Sequence, residues 1–213
     1  MILTHIRSNP FDNNIAIWFS ELFESFPSAL KEFIIVFSAL GDLGIFLILL
    51  SIIFLIIPNT RKVGILLAVS LMTSLLLNNL LLKNIFARTR PFYDENLIPL
   101  LPSLVANGGK PYGIIPGEKS FPSGHTFSFF ICLTSTICFY IHNKEEKWLK
   151  GIIILLSIMS VLMGLSRILL SHHYATDVIA GVLFGALFGI MDYYLYKYFP
   201  NFVAFLKSKF KKA

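Results

Sequence analysis

Charge is what this chain has little of. Lys, Arg, Asp and Glu make up 14% of its 213 residues, against about 25% in an average soluble domain. So few charges cannot cover the surface of a water-soluble globule, and the apolar share of 55% excludes a disordered chain. Cysteine is scarce as well. Cys132 and Cys138 sit in one apolar run, about 9 Å apart along a helix axis, which is too far for a mutual disulfide. Neither has metal-ligand spacing, so both read as packing residues. The length excludes a large multidomain machine.

What remains is apolar. Mean hydropathy is +0.72, and the chain holds 21 Phe. Five segments reach the roughly 20 apolar residues that a membrane helix needs: 33–57, 63–82, 121–141, 151–171 and 174–196. The expected fold is all-α, a polytopic membrane bundle of five transmembrane helices. Residues 1–32 form an N-terminal segment, 33–198 the transmembrane domain with a loop at 92–120, and 199–213 a basic tail. Ile15, Trp18, Phe19, Leu22, Phe23 and Phe26 recur at helical spacing, with Asp12, Asn13 and Asn14 as candidate N-caps. That helix is too short to span and is expected to lie in the interface. It lacks the pattern of a cleavable signal peptide.

A net charge of +6 would suggest nucleic acid on a soluble protein. Here the cations sort by side. Arg61, Lys62, Lys144, Lys147, Lys150, Lys197, Lys207, Lys209, Lys211 and Lys212 share one face of a five-span topology. The positive-inside rule makes that face cytoplasmic, with the C-terminus, and no nucleic acid is expected as a partner. The tail mixes Phe with Lys and suits an anionic leaflet.

The opposite face gathers chemistry. Lys83 ends the second span and Arg90 follows; Ser123, Gly124 and His125 open the third; Arg167 ends the fourth; His173 and Asp177 bracket the start of the fifth. Polar residues at membrane depth are costly and default to function. Lys83, Arg90 and Arg167 lack enough nearby carboxylates and suit an anion; guanidinium matches phosphate by paired hydrogen bonds. Ser123 and Gly124 offer a helix N-terminus, where free N–H groups favour phosphate. His173 and Asp177, four apart, share a helix face, so the carboxylate can hold one ring nitrogen and leave the other as a nucleophile. His125 can act as general acid, then base. Taken singly, each cation could merely snorkel, and the His–Asp pair could be structural. The three cations also argue against a metal at these residues.

These residues resemble the signature of the type 2 phosphatidic acid phosphatases. The chain reads Lys83-x6-Arg90-Pro91, Pro122-Ser123-Gly124-His125 and Ser166-Arg167-x5-His173-x3-Asp177. The resemblance implies a membrane lipid phosphatase that needs no metal or other cofactor. It makes His173 the nucleophile that becomes phosphohistidine, Asp177 its orienting partner and His125 the proton donor and acceptor. Lys83, Arg90, Ser123, Gly124 and Arg167 are then the phosphate-binding positions. Many members have six spans, one more than here. The implied substrates are lipid phosphates or diphosphates: undecaprenyl diphosphate as the specific choice, phosphatidylglycerophosphate or lipid A as alternatives. Phosphotransfer between lipids and, outside enzymes, anion transport are the other readings. An Ile-, Lys-, Asn- and Phe-rich composition hints at a bacterial cytoplasmic membrane, with the site extracytoplasmic.

Three further features carry expectations. The loop at 92–120, broken by Pro99, Pro102, Pro111, Pro116 and Gly108-Gly109, hangs over the site, with a short helix near 97–105; Arg88, Tyr112, Glu118 and Lys119 are its polar candidates. Gly181, Gly185 and Gly189 form a small-residue face, for packing within the monomer or against a second copy in a homodimer. Asp192 is expected to face headgroups or the Lys-rich tail.

Overall fold

The computed structural model describes residues 9–115 and 117–210, with side chains as far as residue 199. The first helix, α1 (Pro10–Ser25), starts where Asn9 accepts a 2.9 Å hydrogen bond from the Asp12 amide and Pro10 takes the first helical position. The cap is therefore Asn9 rather than residues 12–14, and Asp12 is free to turn inward. The face of α1 also differs from the expected stripe. Asp12, Ala16, Ser20 and Phe23 are buried, whereas Phe11 and Trp18 are each 56% exposed. A line of small side chains lets α1 lie close over the loop helix and the ends of two spans.

The expected span 33–57 is broken. It consists of α2 (Ser28–Ala39) and α3 (Ile45–Ile56), bent by 55°. Between them Leu43 has φ +54° and Gly44 φ +70°, which no α-helix tolerates. α2 packs along the end of the helix Leu149–Leu169 and α3 along the helix Arg61–Thr73. Ser51 donates to the Gly64 carbonyl across that second seam, where a Cβ on Gly64 would lie 2.7 Å from the Leu55 nitrogen.

A continuous rod follows, Pro58–Phe86. It comprises α4 (Arg61–Thr73), a π-helical stretch (Ser74–Leu82) and α5 (Lys83–Phe86). The expected helix near 97–105 is a 3-10 turn at Ile98–Leu100 followed by α6 (Pro102–Ala106). The remaining spans are α7 (Gly124–His142), α8 (Leu149–Leu169) and α9 (Ala175–Phe210). Among the described residues four helices are long and apolar enough to cross a membrane, and five if the bent pair is one span. The backbone of α9 continues without a break to Phe210; the side chains expected to lie on the leaflet are outside the described residues.

α7 is the hub. Phe127, Phe129, Ile131, Cys132 and Phe139 are buried against Leu47, Leu66, Leu67, Leu156, Met163 and Tyr193. Cys132 and Cys138 are free thiols. Gly181, Gly185 and Gly189 all face α7: a Cβ on them would meet the carbonyl oxygens of Ser123, Phe127 and Ile131 at 2.9, 2.8 and 2.6 Å. The glycine face is used within the monomer. Asp192 also turns inward, fully buried, and accepts a 2.9 Å bond from Thr73. The expectation that it faces headgroups is wrong because α9 presents it to α4 rather than to the membrane surface.

Gly189→Ala is expected to lower stability in detergent by about 1–3 kcal/mol through overpacking. Gly151→Ala, where nothing stands within 4 Å of the new Cβ, is the neutral control. Thermal unfolding of the two variants checks this.

Candidate active site

The link between the second and third spans folds inward rather than hanging in water. Phe92, Leu97, Leu101 and Leu104 are buried against Ala16 and Tyr174. Thr89 and Lys119 pair as an antiparallel bridge, which brings Arg90 beside the start of α7. The Phe121–Pro122 peptide is cis, and Ser123 caps α7. The Ser123 amide donates to the Asp177 carbonyl at 3.0 Å, tying the N-termini of α7 and α9.

The residues singled out in the sequence converge here. Lys83, Arg90, Gly124, His125, Arg167 and His173 line one cavity of about 570 Å³. Gly124 lies at its rim: a Cβ there would stand 3.1 Å from Asn78 Nδ2 and 3.4 Å from Lys83 Nζ. The first-turn N–H groups of α7 thus open toward the cations. Ser123 is fully buried and its Oγ accepts a 3.0 Å bond from Thr126. Asp177 stands behind His173, outside the cavity wall. Its Oδ2 accepts from the Tyr174 amide at 2.9 Å and lies 3.4 Å from His173 Nδ1, long for a hydrogen bond. The other ring nitrogen, Nε2, is 2.8 Å from Arg90 Nη1. A guanidinium can only donate, so Nε2 is the unprotonated nitrogen and Nδ1 carries the hydrogen.

The cations divide by partner. Arg88 is buried and bridges two carboxylates, Asp12 Oδ2 at 2.6 Å and Asp177 Oδ1 at 2.7 Å. It also stacks 4.1 Å from the Tyr174 ring centre. Arg167 bonds Ser38 at 2.6 Å through Nη1, while its buried Nε and Nη2 have no protein partner. Lys83 and Arg90 form no ion pair among the described residues. Burial lowers Arg90 to about 10, still cationic at neutral pH. Burial, and then the charges of Arg90, Arg167 and Lys83, hold His173 well below the usual imidazole range. His172, whose Nε2 meets the Tyr112 carbonyl at 2.9 Å, is depressed first by burial and then by Arg167 and Arg90.

Of the loop candidates, Tyr112 packs on Phe23, 5.3 Å between ring centres, and Lys119 bonds Asn84. Glu118 lines a smaller hollow of about 320 Å³ with Lys83, Arg90, Gly117 and Lys119. Sequence reasoning missed Asn79, which lines the main cavity, and the fully buried Asn78. The Lys83 amide reaches five residues back to the Asn78 carbonyl, and such π turns are frequent at functional sites. It also passed over Asp42, which meets His125 at 2.9 Å. A carboxylate between two glycines inside an apolar run was the available signal. Below the charged rim the cavity continues between α3 and α4, lined by Ile48, Ile52, Leu55, Ala68, Leu71, Met72 and Leu75.

A buried cluster of anion-seeking donors stands at the head of a largely apolar groove within a bundle of apolar helices, an arrangement that suits an anionic group joined to an apolar body. The comparisons are more specific. The PAP2 superfamily pattern matches residues 63–201, and the chain belongs to that family. It is 32% identical over 132 residues to an undecaprenyl-diphosphatase of Sulfolobus acidocaldarius, covering 62% of this chain and 54% of that protein. It is 29% identical over 116 residues to a lipid A 4'-phosphatase of Porphyromonas gingivalis, covering 54% and 43%. The chain thus spans about half the length of these curated relatives. A crystal structure of a transmembrane PAP2 type phosphatidylglycerolphosphate phosphatase from Bacillus subtilis superposes with TM-score 0.63 at 24% identity, over 91% of this chain and 88% of that one. It shares the fold, and the chain is a multi-pass membrane protein.

Two expected outcomes follow from the buried charges. Arg88→Met leaves Asp12 and Asp177 buried without a cation and should cost about 3–5 kcal/mol, read as a fall in the unfolding midpoint. His172 and His173 stay neutral when folded, whereas the unfolded chain protonates both near pH 6.5. Below that pH the unfolded state binds more protons, so stability falls with pH by up to about 1.4 kcal/mol per unit for each imidazole. His172→Gln should lower that slope between about pH 6.5 and 5 by one imidazole's share.

Proposed function

We propose that the protein is a metal-independent lipid phosphatase acting through a phosphohistidine. The observation that carries this reading is the convergence of Lys83, Arg90 and unpartnered Arg167 nitrogens with His173 and His125 around one cavity that opens into an apolar groove. The phosphate takes the place of the missing counter-ion. Its oxygens accept from Lys83, Arg90, Arg167 and the first-turn amides of α7, beside Ser123 and Gly124. Arg90 trades its contact with His173 Nε2 for a phosphate oxygen, and that lone pair attacks phosphorus. The N–P bond forms as the bond to the lipid or phosphate leaving oxygen breaks, and His125 gives that oxygen its proton. Water then attacks phosphorus, its proton passes to His125 and the N–P bond breaks. Asp177 holds the Nδ1–H side and stabilises positive charge on the ring. The cations supply most of the rate by neutralising oxygens in a place that excludes water.

The substrate is a lipid phosphate or diphosphate, with undecaprenyl diphosphate the specific choice and phosphatidylglycerophosphate or lipid A the alternatives. The names of the relatives support that range and their low identity leaves it broad. Lipid-to-lipid phosphotransfer uses the same intermediate with an alcohol in place of water. The charge bias favours a bacterial cytoplasmic membrane with the site outside and the C-terminus inside. A transporter needs a polar path through the bundle. The Ser70–Ser135, Ser74–Ser128 and Thr73–Asp192 pairs are satisfied by bonding across helices, and the cavity lining away from the cations is mostly apolar, which favours the enzyme.

Purified protein with EDTA should release phosphate from at least one of these lipids and form an acid-labile, base-stable phosphoprotein on rapid quench. His173→Ala should lose both, a fall of at least about a thousandfold, while remaining monodisperse. Release that EDTA abolishes, or that His173→Ala retains, removes this mechanism.

A further inference from the structure

His125 has a carboxylate partner that lies outside the family signature. Its Nε2 is 2.9 Å from Asp42 Oδ1, and Asp42 sits at the break between α2 and α3. We propose that Asp42 is a positioning residue for His125, so that the site contains two carboxylate–imidazole pairs rather than one.

The break is built for that contact. Gly41 presses on the Cδ2 edge of the His125 ring, and a Cβ there would also lie 2.8 Å from Met163 Sδ. No side chain fits at that position, so the backbone itself reaches the imidazole. Leu43 is held at φ +54°, a costly conformation for a branched residue, yet its side chain is 91% exposed. No burial of Leu43 explains the strain. What the bend achieves is the placement of Asp42. Two backbone bonds hold it, Gly44 to the Gly41 carbonyl at 3.0 Å and Phe46 to the Leu40 carbonyl at 3.1 Å. Ser38, one turn before the break, anchors it to Arg167, whose Nη1 lies 3.9 Å from Asp42 Oδ1. The charged groups facing His125 are thus Asp42 from the break, Arg167 from α8 and Lys83 from α5.

The chemical consequence is a fixed tautomer. The Nε2–H donates to Asp42, and the Gly41 contact puts the Cδ2–Nε2 edge against the break. Nδ1 lies on the opposite side of the ring and is the nitrogen that exchanges protons. In the first half of the reaction Nδ1 first takes up a proton from the bound phosphate monoester's own hydroxyl, giving an imidazolium, and then passes it to the leaving oxygen as the P–O bond breaks. In the second half Nδ1 takes the proton of the attacking water as the N–P bond breaks. Asp42 balances the imidazolium charge between two cations that would otherwise oppose it.

The kinetic part rests on the phosphatase reading; the contact does not. The first experiment needs no turnover: nitrogen NMR of histidine-labelled protein in detergent, with His125 assigned by its loss in His125→Gln. His125 should be the Nε2–H tautomer and should lose that fixed state in Asp42→Ala. An Nδ1–H tautomer, or no change in Asp42→Ala, overturns the proposal. The second experiment compares phosphoenzyme formation from an alkyl lipid phosphate and from p-nitrophenyl phosphate, whose leaving group needs no proton. Asp42→Asn, nearly isosteric, should lower kcat for the lipid about 10- to 100-fold, within the range general acid catalysis is worth. KM should stay within about threefold, the aryl ester should be affected far less, and Asp42→Glu should recover part of the rate. Equal loss for both leaving groups, or a change in KM alone, marks Asp42 as merely structural. A fixed tautomer in a protein that hydrolyses no lipid phosphate would sink the phosphatase reading and leave the pair standing.

Discussion

Arg88 is the interaction on which the site depends. One guanidinium, 1% exposed, joins Asp12 of α1 to Asp177 of α9. Burying any of these charges alone would cost several kcal/mol, and only mutual pairing makes the burial tolerable. Asp12 extends the network to Thr176, accepting from its amide at 3.0 Å and its hydroxyl at 2.7 Å. The first turn of α9, which bears Asp177, is therefore clamped to the first turn of α1. Because α1 also covers α6, the inter-span link cannot swing away without breaking the same clamp. The link above the cavity is held by charged contacts as much as by apolar ones.

The clamp also settles the charge balance of the cavity. Asp177 is paired from behind by Arg88, so it does not neutralise the cations in front of His173. Among the described residues Lys83 and Arg90 pair with no carboxylate, and two buried nitrogens of Arg167 have no partner. Unpaired positive charges are unfavourable in a low-dielectric site, and an anion set among them would relieve their repulsion. Burial and the same cations hold His173 well below the usual imidazole range.

The spans and the signature residues were legible in the sequence because both are local patterns. Hydropathy runs mark α4, α7, α8 and α9, and each motif sits where a helix starts or ends. The pairings were not legible. Asp12 and Arg88 are 76 residues apart, and Asp42 and His125 are 83 apart; no short window contains either pair. Asp12 read as a cap because capping and burial favour the same residue type. Asp42 was passed over inside an apolar run, whereas it was the sign that the run is two helices. Asp192 misled for the opposite reason: its place near a helix end suggested the surface, while only the neighbouring α4 shows that it points inward.

The break in the first span serves more than Asp42. An unbroken helix could not follow the end of α8 and then lie along α4. With the bend, α2 stays with α8 and seats Ser38 on Arg167, while α3 crosses to α4 and walls a groove. The twelve residues of α3 give that wall a length of about 18 Å, just over half of a hydrocarbon core of about 30 Å. Its lining is mostly apolar down to Leu55, interrupted by Ser51 and Ser74, and its head is His125 and the cations. A molecule lying in it would place its anionic end against the donors and its apolar body along α3 and α4. Water bound in such a groove would find few partners below the rim, so an apolar chain displaces it at little cost. One strained turn thus joins the two demands of the proposed reading, a polar end for a phosphate and a largely apolar groove for the lipid attached to it.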